Sequence, residues 1–392
     1  MGRFLLGWEL GANRGHIKRL SAIANRLAGE GHAVAVAFQR IDGAVGGLAE
    51  GVELWQAPVW PRLLVNVSRP ARVGAASMGD ILVRLGLDRA ETLAALIGGW
   101  DSIVRAFRPD VVIADFAPAL LCAARGRVAS IGAGTGFERA PSQMAEFPSL
   151  SGGAKAYDEA ATLAAANAGL RMAGRDPVAA LPALMGADIP LAGVFTELDV
   201  YARWRAEPTI APNIAHPLPP VSDGGGDELF VYGFELMAAD APIWRGLGAA
   251  GLKVRVHVPN APRPLVEAIG KAGLAFEPDP LPFAEIVRRS RMVASHGGHG
   301  FVCSALVAGL PQVVTHYDLE KRGYGEGVRG AGLGGEVALA SIKVGPFAES
   351  LRRIFEDDDL ARRARDASAS FRERVTPSFT DTAVAAALKL AC

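Results

Sequence analysis

The sequence predicts an α/β protein made of two successive doubly wound halves, each a parallel sheet with helices on both faces. Three observations carry this. Residues Arg3 to Phe38 read as strand, glycine-containing loop, helix and strand with short connections. Far downstream, Met292 to Thr315 read as strand, glycine-rich turn, helix and strand. Between them lies the chain's one concentrated Pro/Gly run, Glu207 to Gly226, whose composition suits a linker between domains. The expected domains are therefore 1–207 and 228–376, joined by a linker at 208–227 and followed by a C-terminal helix within 377–392.

Composition narrows the function classes. In 392 residues Lys+Arg and Asp+Glu are 41 each, so no strong field draws the chain to nucleic acid or to an anionic membrane. No stretch offers the roughly 20 apolar residues of a membrane span, and the apolar run Phe4 to Trp8 is too short for a signal peptide. Peripheral contact with a membrane surface stays open. The three cysteines, Cys122, Cys303 and Cys392, are far apart and lack metal-ligand spacing, which fits a reducing, cytoplasmic compartment.

Taken in order, Arg3 to Leu6 is a first strand, and Gly7 to His16 a loop that includes Ala12 and Asn13. Ile17 to Gly29 is a helix with Ile17, Leu20, Ile23, Ala24 and Leu27 on one face, and Ala33 to Phe38 a second strand. His32 stands at the helix stop and reads as a structural partner of the helix C-terminus. His16 stands at the opposite end, above the sheet edge where such folds bind ligands. Trp55, Pro58, Trp60, Pro61 and Pro70 mark an irregular aromatic stretch, either the wall of a pocket or a packed loop. Ile81 to Phe107 is helical, with a break expected at Gly98-Gly99. Pro109 to Phe116 is a buried strand closing on Asp115, a carboxylate that must either cap the helix starting at Pro118 or pair with another group.

Val128 to Ile131 is a further strand, Lys155 to Ala173 a helix, and Ile189 to Ala202 strand-like. After the linker come strands at Glu228–Tyr232, Lys253–Val258 and Ala275–Glu277, alternating with helices at Pro242–Ala250, Pro264–Ala272 and Ala284–Ser290. A strand then leads into His296-Gly297-Gly298-His299-Gly300 and a helix with Val302, Ala305, Leu306 and Leu310 on one face. Such a turn gathers backbone N–H groups at a helix N-terminus, which suits a phosphate; a tight turn with no ligand is the plainer reading. Gln312 to Thr315 is the next strand, Phe347 to Ser370 one charged helix, and Thr380 to Leu390 the last.

The segment HGGHGFVCSALVAGLPQVVTHYDLEKRGYGEGVRGAGLG (296–334) resembles the donor-binding segment of GT-B glycosyltransferases of the UDP-glycosyltransferase type, a group that includes macrolide glycosyltransferases. There the pattern is HGGxG, a helix with AL and G-[VL]-P, a strand, an acidic residue followed by Gln, and a terminal GxG. GHIKRLSAIANRLAGEGHAVAVAF (15–38) resembles the family's first βαβ unit, and Pro109-Asp110-Val111-Val112-Ile113-Ala114-Asp115 its PDxxxxD strand. The resemblance implies two Rossmann-like domains facing a cleft, with the C-terminal tail crossing back to the first. It implies inverting transfer of a sugar, without a metal or other cofactor, from a nucleoside diphosphate sugar to a hydroxyl of a small molecule or lipid. His16 would be the general base and Asp115 its support. Donor contacts would fall on His296, Gly297, Gly298, His299, Gly300, Ser304, Glu320 and Lys321. The chain departs from the family at several of these. Ser304 stands where a Glu usually grips the ribose, Glu320-Lys321 replaces an acid followed by Gln, and His316 replaces a proline. Val231-Tyr232-Gly233-Phe234-Glu235 replaces a Ser/Thr-rich turn. A non-catalytic nucleotide-sugar-binding or partner-activating homologue is the alternative, and a GT-B epimerase a more distant one.

Overall fold

The computed structural model describes residues 1–11, 14–65, 74–234 and 237–391; Ala12, Asn13, Pro70, Glu235 and Cys392 lie outside this set. The chain forms two compact units. The first holds Met1–Val194, Tyr201–Asn213 and Pro377–Cys392, and the second holds Phe195–Val200 and Ile214–Thr376. The passage between them is thus made more than once, with a short excursion at Phe195–Val200 before the Pro/Gly run.

The first unit contains β1 (Arg3–Trp8), α1 (Arg14–Gly29), β2 (Ala33–Phe38), β3 (Glu53–Gln56), α2 (Pro61–Val65) and α3 (Met78–Leu85). It continues with α4 (Ala90–Phe107), β4 (Val111–Asp115), α5 (Pro118–Ala124), β5 (Ala129–Gly134), α6 (Glu159–Met172) and β6 (Ile189–Ala192). Its sheet runs β3-β2-β1-β4-β5-β6, all parallel. The order reverses between β1 and β4, and α/β sheets bind ligands outside the carboxyl ends of the strands at such a point. Trp8 and Asp115, the last residues of those two strands, are register partners.

The second unit contains β7 (Glu228–Tyr232), α7 (Pro242–Ala249), β8 (Lys253–His257), α8 (Arg263–Lys271), β9 (Ala275–Phe276), α9 (Phe283–Arg289) and β10 (Ser290–Ser295). Then come α10 (His299–Ala308), β11 (Gln312–His316), α11 (Leu319–Gly330), β12 (Gly334–Ala338), α12 (Val344–Glu356) and α13 (Asp358–Glu373). The final helix, α14 (Phe379–Leu390), belongs to the first unit. The second sheet runs β12-β11-β10-β7-β8-β9, the same winding, with its reversal between β7 and β10. Two Rossmann-like halves follow, as the sequence predicts.

Three elements differ from expectation. The helix break lies at Gly86, not Gly98-Gly99: Gly86 takes φ 115° and closes α3 by donating to Leu82 and Val83. Gly98 and Gly99 run inside α4, where a Cβ on Gly99 would come within 2.8 Å of Pro58, so that glycine makes room for a packed neighbour. The charged helix is two helices, because Asp357 leaves the helical conformation and its carboxylate accepts from Leu360 N at 2.7 Å, capping α13. The strand-like pattern after Ile189 stops at Ala192 and gives way to a 3₁₀ turn at Thr196–Leu198. Among the described residues, no helix is long and apolar enough to cross a membrane.

Candidate active site

The end of β1 and the start of α1 set the first cluster. Trp8, fully buried, stacks on the His16 ring at 5.1 Å and 15°, and Phe116 faces the same ring at 6.4 Å and 25°. Phe116 holds a left-handed backbone (φ 46°), uncommon for a residue with a large side chain, and its carbonyl accepts from Leu10 N. Gly11 (φ 91°) passes so close to the ring that a Cβ there would lie 2.3 Å from His16 Nε2. The imidazole is thereby fixed, with Nδ1 toward the sheet.

The polar partners are all buried. His16 Nδ1 lies 3.0 Å from Asp115 Oδ1. Arg19, one helical turn on, donates from Nε to Asp115 Oδ2 (2.8 Å) and from Nη2 to Asp115 Oδ1 (2.6 Å) and Glu138 Oε2 (2.7 Å). His16 Nε2 faces Glu138 Oε1 at 3.5 Å. Burial pushes the Asp115 carboxyl upward, but Arg19 and His16 outweigh it and hold it below the usual range. Burial acts against the charged form of His16, yet Glu138 and Asp115 carry its pKa above the ordinary value. Because Asp115 is an acceptor only, Nδ1 carries a proton, and the 3.3 Å approach of Arg19 Nη2 to Nδ1 is a contact of two donors.

The structure thus brings His16 and Asp115 together and adds Arg19 and Glu138, which the sequence reading passed over. Arg19 was open to discovery as the i+3 neighbour of His16 on one helix face, and Glu138 as a carboxylate just past the end of another strand. Ligand atoms of His16, Asp115 and Glu138 lie within 4.8 Å of one another, a spacing that could surround a cation. Arg19 occupies part of that space, pairing with both carboxylates.

Glu9 was also missed. It is fully buried and accepts from Trp60 Nε1 (2.9 Å), Trp100 Nε1 (2.6 Å), Leu120 N (2.7 Å) and Ala119 N (3.2 Å). Burial pushes its carboxyl up to about 7 against the pull of those donors. Glu9, and not Asp115, takes the first amides of α5, while Asp115 pairs with His16 and Arg19. His32 closes its own helix end, its backbone N–H donating to Leu27 O at 3.2 Å, and its ring Nδ1 also accepts from Gly2 N at 3.1 Å.

The second cluster follows β10. His296 N donates to Tyr232 O at 3.2 Å, and its Nδ1 lies 3.4 Å from the same oxygen. Tyr232, Phe234 and Tyr317 surround the ring at 5.4, 5.4 and 6.3 Å. Burial, with Lys321 adding to it, lowers His296 to about 4, so the ring is neutral near pH 7. Gly297 turns with φ 89°, and Gly298 starts α10 without any side-chain cap. His299 opens that helix, with its Nε2 3.6 Å from Cys303 Sγ.

Ser304 turns inward, its hydroxyl donating to Gly300 O at 2.7 Å. Lys321 lays its stem against Gly297 and pairs its ammonium with Glu320, whose other oxygen accepts from Tyr324 OH at 3.0 Å. Asp318 caps α11 by accepting from Lys321 N. His316 lies 2.8 Å from Glu336 on the neighbouring strand. The donor-type residues therefore share one sheet edge, with Ser304, Glu320 and Lys321 bonded to their own neighbours.

No family model matches the sequence, and no curated protein matches it. Solved structures do. The calicheamicin glycosyltransferase CalG4 aligns with TM-score 0.71 at 18% identity, over 99% of this chain and 98% of that one. The spinosyn rhamnosyltransferase SpnG, complexed with spinosyn aglycone, aligns with TM-score 0.62 at 15% identity over 99% and 100%. The glycosyltransferase VinC in complex with dTDP gives 0.63 at 15% over 99% of each chain. At these identities the likeness is one of fold: the chain has the GT-B architecture of two Rossmann-like domains.

Proposed function

We propose that the chain is an inverting glycosyltransferase that moves a sugar from a nucleoside diphosphate donor to a hydroxyl of a small-molecule or lipid acceptor, with no resident metal or cofactor. The observation that carries this reading is the buried His16–Asp115 pair, 3.0 Å apart at the reversal point of the first sheet. A binding protein has no need of a base held by a carboxylate. Fold relatives solved with dTDP and with an aglycone support a donor site and an acceptor site on this architecture.

In the proposed reaction, His16 Nε2 takes the proton of the acceptor hydroxyl. The oxygen bonds to the anomeric carbon, and the nucleoside diphosphate leaves with the electron pair. Asp115 accepts the Nδ1 proton, fixes the tautomer and stabilises the imidazolium. The departing diphosphate meets the start of α10, which has no side-chain cap and where a helix N-terminus favours negative charge. Arg19 offsets part of the carboxylate charge around the base.

His16→Ala should abolish transfer, read as release of nucleoside diphosphate from a panel of nucleotide sugars plus acceptors, while binding of dTDP or UDP stays nearly intact. Loss of both, or of neither, contradicts the assignment. A second reading, a non-catalytic nucleotide-sugar-binding or partner-activating homologue, draws on Ser304 and Lys321, whose polar groups are engaged internally. Binding without release of diphosphate by the wild-type chain would favour it.

A further inference from the structure

Glu138 lies in the turn after β5. Its Oε2 accepts from Thr135 N at 2.6 Å and from Arg19 Nη2 at 2.7 Å, whereas its Oε1 faces His16 Nε2 at 3.5 Å. Each ring nitrogen of His16 therefore looks at a carboxylate, Asp115 on one edge and Glu138 on the other. Arg19 ties the two carboxylates together. Charged groups reach the ring from each element around it: Arg19 from α1, Asp115 from β4 and Glu138 from the turn after β5. The end of β1 and the residue after β4 contribute only the aromatic Trp8 and Phe116.

These four side chains are each at most 6% exposed, so each feels the others' charge with little screening by water. A proton on the ring is favoured by Glu138 and Asp115 and opposed by burial and by Arg19, while the buried guanidinium of Arg139, next to Glu138, also acts on both carboxylates.

We propose that Glu138 is a positioning residue for the proton-accepting edge of His16, and that it stores a proton on that ring in the resting site, so that it sets the pH at which His16 becomes a base. The inference rests on the reading of His16 as that base. Glu138 forms no bond during transfer. It faces the Nε2–H of the imidazolium at rest and again after the acceptor proton has moved, and the ring must lose its resting proton to solvent before it can act.

The test titrates the histidine ring resonances of the ¹⁵N-labelled full chain, with His16 assigned by their loss in His16→Gln. The wild-type ring should titrate above the ordinary 6.5, and Glu138→Gln should lower that midpoint by about one pH unit, tenfold in proton affinity. Glu138→Asp, which keeps the charge, should fall between them. The acid limb of kcat/KM should move to lower pH by the same amount in Glu138→Gln, a change that loss of packing alone would not produce. A wild-type ring titrating at or below 6.5 overturns the inference without any variant, which settles the matter even if Glu138→Gln does not fold. An unmoved midpoint in Glu138→Gln overturns it as well, and leaves the His16→Ala result standing on its own. If the midpoint moves and the rate profile does not, the coupling of Glu138 to His16 holds and the assignment of His16 as the base falls.

Discussion

Burial disfavours the charged form of both His296 and His16, but Glu138 and Asp115 reverse that at His16, so the two imidazoles shift in opposite directions. Around His296 burial outweighs the help of the Tyr232 and Gly233 backbone and of Glu320, so the ring drops to about 4, with Lys321 nearby opposing a second positive charge. The sign for stability follows: the folded value lies below the unfolded 6.5, so this contribution is present above pH 6.5 and is lost as pH falls toward 4. The sign for ligand binding is different in kind. Nδ1 lies against the Tyr232 carbonyl, which favours a proton there and leaves a lone pair on Nε2. A phosphate oxygen approaching Nε2 meets that lone pair unless the ring is protonated. Binding of dTDP should therefore take up a proton, and affinity should rise as pH falls from 8 to 6. Calorimetry in two buffers of different ionisation heat measures the uptake, which should disappear in His296→Gln. Equal uptake by wild type and variant would show that the ring does not meet the phosphate.

At the scale of elements, caps and glycines decide what pattern alone does not. Asp357 both ends α12 and caps α13, so Asp357→Ala should cost about 1 kcal/mol in denaturant unfolding; a change below a few tenths would mean that packing, not the cap, fixes the break. The strands and the two strand–turn–helix units were legible because their apolar periods are local. α11 and β12 were not, since Gly323, Gly325, Gly327 and Gly330 lie inside α11 and obscure its apolar period. In the fold several of these glycines are contact surfaces: a Cβ on Gly325 would lie 2.7 Å from Glu336 Cβ, and one on Gly327 would lie 2.4 Å from Glu197 O. On Gly334, at the start of β12, it would meet Gln312 O at 1.8 Å. Glycines chosen for close approach look the same in sequence as glycines chosen for a turn. The site divides in the same way. His16 and Asp115 could be found because each lies in a motif at a strand or helix end. Glu138 could not be joined to Arg19, 119 positions away, by any local rule, and neither could Glu9 to Leu120, 111 positions away.

At the scale of the whole chain, the last helix belongs to the first unit's core although it follows the second in sequence. Phe379, Ala383, Val384 and Ala387 of α14 are buried in the cluster that also holds Phe4, Leu6, Leu20 and Ile113. Phe379 packs on Gly193, where a Cβ would come within 2.5 Å of its ring, and the Arg19 guanidinium lies 5.8 Å from that ring's centre. The phenyl group therefore supports both the core and the arginine that binds Asp115 and Glu138. The second unit has separate cores, around Leu229, Trp244 and Leu265 and around Phe230 and Val293. Phe379→Ala should cost about 3–5 kcal/mol by the lost burial and the cavity it leaves, and the loss should fall on the first unit. A thermal scan of the variant should show one transition moved down and the other unmoved, with the dTDP-induced stabilisation of the unmoved one retained, since a ligand that binds only the folded form stabilises the unit that holds it. Transfer activity should fall as well, because Arg19 loses its backing. Two transitions lowered together would show that the units unfold as one, and an unaltered first transition would show that α14 adds nothing to the core it covers.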